Sequence, residues 1–379
     1  MGKNKGRDFN HHKRVVVKVG SGVLTVNHGL NTDIIDAISD QISRLWETDT
    51  EIILVSSGAI AAGVKKCGFS RRPDGIPARQ AAAAVGQAGL MLAWEKGFSR
   101  HDRKVAQLLL TRDDLSNRRR YLNARNTINT LLSWGIVPII NENDTVVIEE
   151  IKLGDNDNLG AMITLLMDAD FLISLTDIDG LYDKDPRVHA DAQLITEVTT
   201  ITRDMETAAG GIPGNLGTGG MLSKLKAAKK LSRAGIPMII AGGKNPGILD
   251  DIVAGTYKGT YFVPGPRRFN SRKCWISFTL KPQGAIILDN GAIQAIIGKG
   301  KSILPIGVVD VHGSFNVGAA VEIKDEAGTV LGKGLVNYSS TDLRCIMGLK
   351  SSKISEILGS KPYDDIIHRD NLAITFEQG

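Results

Sequence analysis

Cysteine is scarce in this chain of 379 residues: Cys67, Cys274 and Cys345 lie far apart, and no C-x-x-C pair occurs. An odd number of distant cysteines argues against a disulfide scaffold and for a reducing compartment, so we expect a cytoplasmic location. The sequence also lacks an H-E-x-x-H motif and the ligand spacing of a zinc site. It therefore predicts no metal held by protein ligands alone.

Long apolar runs are absent as well. No stretch approaches the ~20 residues that a helix needs to span a bilayer. Residues 1–14 are polar and basic, without the apolar stretch of a secretory signal, and Gly6 stands where a myristoylation motif needs Ser or Thr. We therefore expect no membrane association.

Positive charge is in excess, but most of it lies at the N-terminus. The formal net charge is +5, and residues 1–14 contain five basic residues against the single acidic residue Asp8. Without this tail the chain is nearly neutral, so no broad surface for nucleic-acid phosphates is expected.

From Arg14 to about Gly243, short apolar runs alternate with helical patterns. Near-continuous apolar runs are typical of strands buried on both faces, and six are predicted: Val15–Val19, Ile52–Val55, Val105–Leu110, Ile136–Ile140, Phe171–Leu175 and Pro237–Ala241. Five helices are predicted between them: Asp33–Glu47, Gln80–Phe98, Arg119–Trp134, Leu159–Met167 and Gly220–Ala234. This rhythm predicts an α/β fold, a three-layer αβα sandwich around a mostly parallel sheet, with ligands beyond the carboxyl ends of the strands.

The pattern changes after residues 264–266, which read Pro-Gly-Pro. Short strand-like runs then follow, with turn residues at 289–291 and 327–328, and they predict a small β-rich domain. We therefore divide the chain into a basic tail at 1–13, an α/β domain at 14–265, a linker at 266–275, and a β-rich domain with the C-terminal tail at 276–379.

Lys18 lies inside the first apolar strand, directly before Gly20 and Gly22. A lysine buried in a strand is unfavourable unless it meets an anion, and the two glycines would let backbone N–H groups approach the same anion. The pattern indicates a phosphate-binding site. An edge-strand lysine with its ammonium group in water is the alternative.

Polar residues follow two other predicted strands. Residues 56–63, SSGAIAAG, follow the second strand and suit either an anion or a simple helix cap with tight packing. Residues 141–144, NEND, follow the fourth strand, and a similar cluster, DNDN, occupies 155–158. Mixed amide and carboxylate groups suit an amino-acid ligand, although turns and caps use the same residues.

Two further loops contain glycine beside charged residues. Residues 175–186, LTDIDGLYDKDP, do not fit an EF-hand, because Gly180 comes too early and Val188 occupies the position of the bidentate acid. A loop beside a nucleotide is one interpretation and a surface turn is the other. Residues 217–224, GTGGMLSK, lack the Walker A order but can place N–H groups and one lysine against phosphates, unless they form only a flexible loop.

Taken in order, the motifs VVVKVGSG, SSGAIAAG, INENDTV, GDNDNL, TDIDGLY and GTGGMLSK closely resemble the glutamate 5-kinase family of the amino acid kinase superfamily. The resemblance covers nearly the whole chain, and the second domain looks like the PUA domain of many bacterial members. It implies ATP-dependent phosphorylation of the γ-carboxylate of L-glutamate, the first step of proline biosynthesis. Ser223 stands where many members have Thr, so the hydroxyl group is kept.

The resemblance also implies roles for individual residues. Lys18 and Lys224 would neutralise the phosphoryl group in transfer, and Asp157 would hold both lysines. Ser57, Asp144 and Asn156 would bind glutamate. The contacts to ATP would come from Lys18, Thr176, Asp177, Thr218, Gly219, Gly220, Met221, Leu222, Ser223 and Lys224.

Mg²⁺ would accompany ATP, and no general base is needed because the glutamate side chain, with a pKa of roughly 4.3, is already ionised. The family further suggests dimers or tetramers and feedback inhibition by proline.

Another carboxylate or carbamate kinase of the superfamily, such as an N-acetylglutamate or aspartate kinase, is the nearest alternative function. Binding of RNA by the PUA-like domain is a second alternative, but residues 276–379 carry a net charge of −1 and lack the basic surface that RNA needs.

Overall fold

The structure is a computed structural model and describes residues 12–26, 29–146, 156–210, 220–266 and 269–375. The chain forms two compact units, Met1–Arg268 and Phe269–Gly379. Within the described ranges, no helix is long and apolar enough to cross a membrane.

The first unit is built on one twisted sheet, which contains eight strands among the described residues in the order β5-β6-β4-β1-β7-β9-β10-β8. Its strands, and the short β2–β3 pair beside it, are β1 (Arg14–Val19), β2 (Thr25–Val26), β3 (Gly29–Leu30), β4 (Glu51–Ser56), β5 (Val105–Leu110), β6 (Val137–Glu142), β7 (Phe171–Thr176), β8 (Glu197–Val198), β9 (Met238–Gly242) and β10 (Gly259–Phe262). All neighbours in the large sheet pair in parallel except β9 and β10. The predicted, mostly parallel sheet is confirmed.

Helices connect these strands: Ser21–Leu24, Thr32–Glu47, Ala59–Lys66, Ile76–Ser99, Arg112–Ser116, Arg118–Ser133, Asn156–Leu166, Arg203–Gly210, Met221–Arg233 and Ile248–Ala254. The five predicted helices are among them, and the glycines that follow two of these helices, Gly135 and Gly235, have φ of 69° and 74°. Positive φ is the conformation that glycine adopts most readily at the end of a helix. The helices Arg203–Gly210 and Ile248–Ala254 were not predicted, because both are shorter than three turns and give little periodicity.

Successive side chains of β1 point to opposite faces of the sheet. Val15, Val17 and Val19 pack in the core cluster that contains residues of the helices Thr32–Glu47 and Ile76–Ser99. Lys18 points to the other face, towards Gly160. A Cβ on Gly160 would lie 3.4 Å from the Cβ of Lys18. Helices therefore cover both faces of the sheet, which confirms the three-layer sandwich and brings Lys18 to the helix Asn156–Leu166.

The helices Ala59–Lys66 and Ile76–Ser99 cross with their backbones in close contact. A Cβ on Gly63 would lie 1.7 Å from the carbonyl oxygen of Ala82, and one on Gly86 would lie 1.9 Å from that of Ala59. Any larger side chain at either glycine would force the helices apart. This close crossing holds the helix Ile76–Ser99 beside the helix Ala59–Lys66, which begins shortly after β4 ends.

The second unit has a five-stranded sheet among its described residues, in the order β12-β11-β13-β14-β15. Its strands are β11 (Gly284–Leu288), β12 (Val308–Gly313), β13 (Ala320–Lys324), β14 (Val330–Leu335) and β15 (Leu372–Ile374), and its helices are Ser271–Phe278, Asn290–Lys299, Ser340–Ile346 and Ile354–Leu358. The predicted turn at residues 289–291 is wrong, because Asp289 caps a helix by accepting a hydrogen bond from the Ala292 N–H. The second half of the predicted linker is likewise helical, with Asn270 as its cap.

Candidate functional site

Two lysines contact one carboxylate near the carboxyl ends of the strands of the large sheet. The Nζ of Lys18, on β1, lies 2.5 Å from Asp157 Oδ1, and the Nζ of Lys224 lies 3.0 Å from Asp157 Oδ2. The exposed fractions are 4% for Lys18, 5% for Lys224 and 2% for Asp157. The alternative of a water-exposed lysine tip at position 18 is therefore wrong.

Asp157 belongs to the first turn of the helix Asn156–Leu166 and holds the charge cluster together. Burial alone would raise the pKa of its carboxyl group, but the charges of Lys18 and Lys224 and hydrogen bonds hold that pKa well below the usual value. Ser223 Oγ donates a hydrogen bond of 2.6 Å to Asp157 Oδ2. Two positive charges against one negative charge leave the cluster with a surplus of +1, which suits a polyanion.

A network of neutral amides lies beside this cluster. Asn156 Nδ2 donates to Ser57 Oγ at 2.8 Å, to the Ser56 carbonyl oxygen at 3.2 Å and to Asn141 Oδ1 at 3.0 Å. Asn141 Nδ2 in turn donates to Gln87 Oε1 at 2.9 Å. The network therefore joins the ends of β4 and β6 to two helices, and Asn156 lies next to Asp157 in the chain.

Asp144, in the turn after β6, has an unusual carboxyl group. Burial raises its pKa to about 6, although the nearby charge of Arg72 acts in the opposite direction. Burial and the charge of Arg79 lower the pKa of Arg72. Arg72 Nε is buried without a hydrogen-bond partner within the described part of the chain.

A cavity of about 560 Å³ opens at the end of β7. It lies between the segment after Thr176, the helix Arg203–Gly210 and the first turn of the helix Met221–Arg233, and Lys224 forms part of its wall. Apolar side chains supply much of the lining: Ile178, Leu181, Tyr182, Pro186, Ile195, Met205, Ala208, Ala209 and Met221. Such apolar walls suit a flat, largely apolar group, and Lys224 supplies a positive charge beside it.

Most of the residues predicted from the sequence fall into three groups, whereas Asp144 has Arg72 as its electrostatic partner. Lys18, Asp157, Ser223 and Lys224 are in direct contact, and Ser57 is bonded to Asn156. The cavity wall includes Thr176, Asp177, Gly220, Met221 and Lys224 but not Leu222. Thr218 and Gly219 lie outside the described residues.

Several residues of the site were missed. Asn141 belongs to the NEND cluster that the sequence singled out, yet only Asp144 of that cluster was named. Gln87 and Arg72 carried no signal, because a glutamine in an alanine-rich helix and an arginine in a loop are common. The wall contributed by Met205 and Ala208 was missed together with its helix.

Comparisons with known proteins identify the families of both parts of the chain. Residues 13–242 match the model of the amino acid kinase family, and residues 284–358 match that of the PUA domain. The chain is 52% identical over 363 residues to a glutamate 5-kinase of Geobacter sulfurreducens, covering 96% of this chain and 97% of that protein.

A second relative belongs to the same family. A glutamate 5-kinase of Syntrophus aciditrophicus is 49% identical, covering 99% of this chain and 97% of its own length. Among solved structures, a UMP kinase from Ureaplasma parvum covers 67% of this chain and 99% of its own chain, at 16% identity and a TM-score of 0.46.

Proposed function

Because the chain belongs to the glutamate 5-kinase family, we propose that Lys18, Asp157 and Lys224 form its phosphoryl-transfer centre. The reaction is the ATP-dependent phosphorylation of the side-chain carboxylate of L-glutamate, which gives L-glutamyl 5-phosphate and begins proline biosynthesis. One observation carries the assignment of residues: two buried ammonium groups share one buried carboxylate between an apolar cavity and a network of amides.

The chemistry follows from these charges. An oxygen of the γ-carboxylate attacks the γ-phosphorus of ATP, the bond from phosphorus to the bridging oxygen breaks, and ADP leaves with that oxygen. No proton needs to move, since a carboxylate with a pKa of roughly 4.3 is ionised at neutral pH. Lys18 and Lys224 offset the negative charge in the transition state, and Asp157 prevents the two ammonium groups from moving apart.

We propose Mg²⁺ as the metal that accompanies ATP. Within the described residues no group of three or more acidic, histidine or cysteine side chains could hold a metal ion. Mg²⁺ fits all the same, because it is commonly held by phosphates, waters and one or two carboxylates. Asp177, in the cavity wall, is the carboxylate that would face it. The ion would neutralise phosphate charge when bound.

On the acceptor side, we propose that Ser57, Asp144 and Asn156 bind glutamate. Asp144 supplies a negative charge for the α-ammonium group, while Ser57 and Asn156 supply neutral polar contacts. On the nucleotide side, we propose that Thr176 and Asp177 contact ATP together with residues 218–224. The PUA-like domain at 276–379 contributes no residue to this proposal.

The decisive experiment is ADP release with Mg·ATP and a panel of acceptors: glutamate, aspartate, N-acetylglutamate and carbamate, with hydroxylamine present to trap any acyl phosphate. Turnover with glutamate alone supports the proposal. Turnover confined to another acceptor would overturn the choice of substrate and leave the fold unchanged. Lys224→Ala should abolish the glutamate signal.

We propose assembly into dimers or tetramers, feedback inhibition by proline and a cytoplasmic location. Exposed apolar side chains on the helix Ile76–Ser99, Val85 and Leu92, are consistent with a contact between copies. Proline has the same α-carboxylate and a similar cationic nitrogen, so it should compete with glutamate. Sedimentation measures the oligomeric state. Initial rates at several glutamate and proline concentrations measure whether proline competes with glutamate.

A further inference from the structure

Gln87 ends the amide network on the side away from Asn156. Gln87 lies on the helix Ile76–Ser99, and its Oε1 accepts a hydrogen bond from Asn141. Its Nε2 is buried and has no hydrogen-bond partner among the described residues, and the same is true of Asn156 Oδ1. Buried polar groups without partners are rare and usually have a functional reason.

The orientation of each amide is fixed by backbone groups. The Ser56 carbonyl oxygen can only accept, so the atom of Asn156 that faces it must be Nδ2. The Glu142 N–H can only donate, so the atom of Asn141 that faces it at 2.8 Å must be Oδ1. The nitrogen of Asn141 then faces Gln87, which must present Oε1.

A rotated amide would therefore break the network at a backbone group.

The two unpaired atoms at the ends of the network have opposite character. Gln87 Nε2 offers two N–H donors, and Asn156 Oδ1 offers an acceptor. An α-amino acid presents a carboxylate, which needs donors, and an ammonium group, which needs acceptors. Asn156 is also the end nearer the lysines, since Asp157 follows it directly.

Resting on the proposed function, we propose that Gln87 is a substrate-binding residue that donates from Nε2 to the α-carboxylate of glutamate. The γ-carboxylate then points past Asn156 towards Lys18 and Lys224. Gln87 would select acceptors with a free α-carboxylate.

The variant Gln87→Glu separates this role from a structural one. It keeps an oxygen towards Asn141 Nδ2, so the network stays intact, but it replaces the donor with a negatively charged oxygen. We expect the KM for glutamate to rise about 100-fold, because a hydrogen bond to a charged group is lost and repulsion is added. The kcat and the KM for ATP should stay within about threefold.

The α-amide of glutamate provides a second readout, since it keeps the γ-carboxylate and replaces the α-carboxylate with a donor. The ratio of kcat/KM for glutamate to kcat/KM for the α-amide should fall at least about tenfold in Gln87→Glu. If the α-amide is not turned over, the ratio of its KI to the KM for glutamate should fall by the same factor. Gln107→Glu, at an exposed position of β5, is the matched control.

The outcomes are distinct. A KM for glutamate that changes less than about threefold, or a kcat that falls as far as kcat/KM, would overturn the role of Gln87. If Gln87→Glu does not fold, as judged by its thermal melting, Gln87→Met is used instead and should bring the two acceptors to similar KM values. Absence of glutamate turnover in the unmodified enzyme would instead contradict the proposed function.

Discussion

The charge cluster and the amide network are neighbours, but they satisfy their polar groups differently. In the cluster, both oxygens of Asp157 accept hydrogen bonds and each lysine is bonded to one of them. In the network, Gln87 Nε2 and Asn156 Oδ1 are buried without partners among the described residues. The cluster is complete before any ligand binds, whereas the network is incomplete without one. We infer that the first is organised for catalysis and the second for recognition.

The largest effect should follow from removing one cluster lysine. Lys18→Met and Lys224→Met each keep an apolar stem of similar length but remove one charge that faces the transferred phosphoryl group. We expect kcat to fall about 10²- to 10³-fold, as is typical when one transition-state donor is lost. Initial rates of hydroxamate formation measure this. Lys226→Met, at an exposed position of the same helix as Lys224, should change kcat less than about twofold.

Removing the shared carboxylate should affect stability. Asp157→Asn leaves two buried ammonium groups without a counter-charge, and we expect the free energy of unfolding to fall by about 3–5 kcal/mol. Urea unfolding measures the loss. Adding Lys18→Met to Asp157→Asn should restore part of the stability; if the double variant is less stable than the single one, the charge repulsion is not the cause.

The lowered pKa of Asp157 also predicts how the stability of the folded chain depends on pH. Its pKa is lower in the folded chain than in the unfolded chain, so its contribution to stability is present above the unfolded value and is lost as pH falls below about 4. In Asp157→Asn this part of the acid sensitivity should be absent.

Interrupting the network should affect binding rather than the chemical step. Asn141→Leu removes the amide between Asn156 and Gln87, and we expect the KM for glutamate to rise about tenfold while the KM for ATP stays unchanged. Steady-state kinetics with each substrate varied in turn measure both values. Asn123→Leu, at an exposed position, is the control. An equal rise in both KM values would show that the two regions are not separable.

The smallest effect should come from pH. With the pKa of Asp144 at about 6, its carboxyl group loses its charge as pH falls through that value and can no longer attract the ammonium group of glutamate. We expect the KM for glutamate at saturating ATP to rise about fivefold from pH 6 to pH 5, because the ionised fraction of Asp144 falls from about one half to about one tenth. Asp144→Asn should have a raised KM at every pH and no such dependence; a parallel pH profile in the variant would exclude Asp144 as the titrating group.

Much of the fold could be predicted because its signals are local. The apolar strands of a parallel sheet are continuous in sequence, and the glycines at 135 and 235 mark helix ends. The short helix Arg203–Gly210 could not be predicted, because two turns give too little periodicity and its packing against the helix Met221–Arg233 is tertiary. For the same reason, the part of the cavity wall that this helix contributes, Asp204, Met205, Ala208 and Ala209, was missed.

The site shows a similar division. Lys18 was recognisable because a charged residue in a buried strand needs a reason, and its partner Asp157 followed from the family resemblance. Gln87 could not be recognised, since its role depends on a hydrogen bond to Asn141, 54 residues away in the chain. Sequence reasoning finds residues that look out of place locally, and it misses ordinary residues whose partners are distant.

The most direct test of the account compares Lys18→Met with Gln87→Glu in one steady-state experiment, with glutamate varied at saturating Mg·ATP. We expect Lys18→Met to lower kcat by at least about 100-fold with the KM for glutamate nearly unchanged, and Gln87→Glu to raise that KM with kcat nearly unchanged. If both variants change the same kinetic parameter, the separation of catalysis from recognition is contradicted.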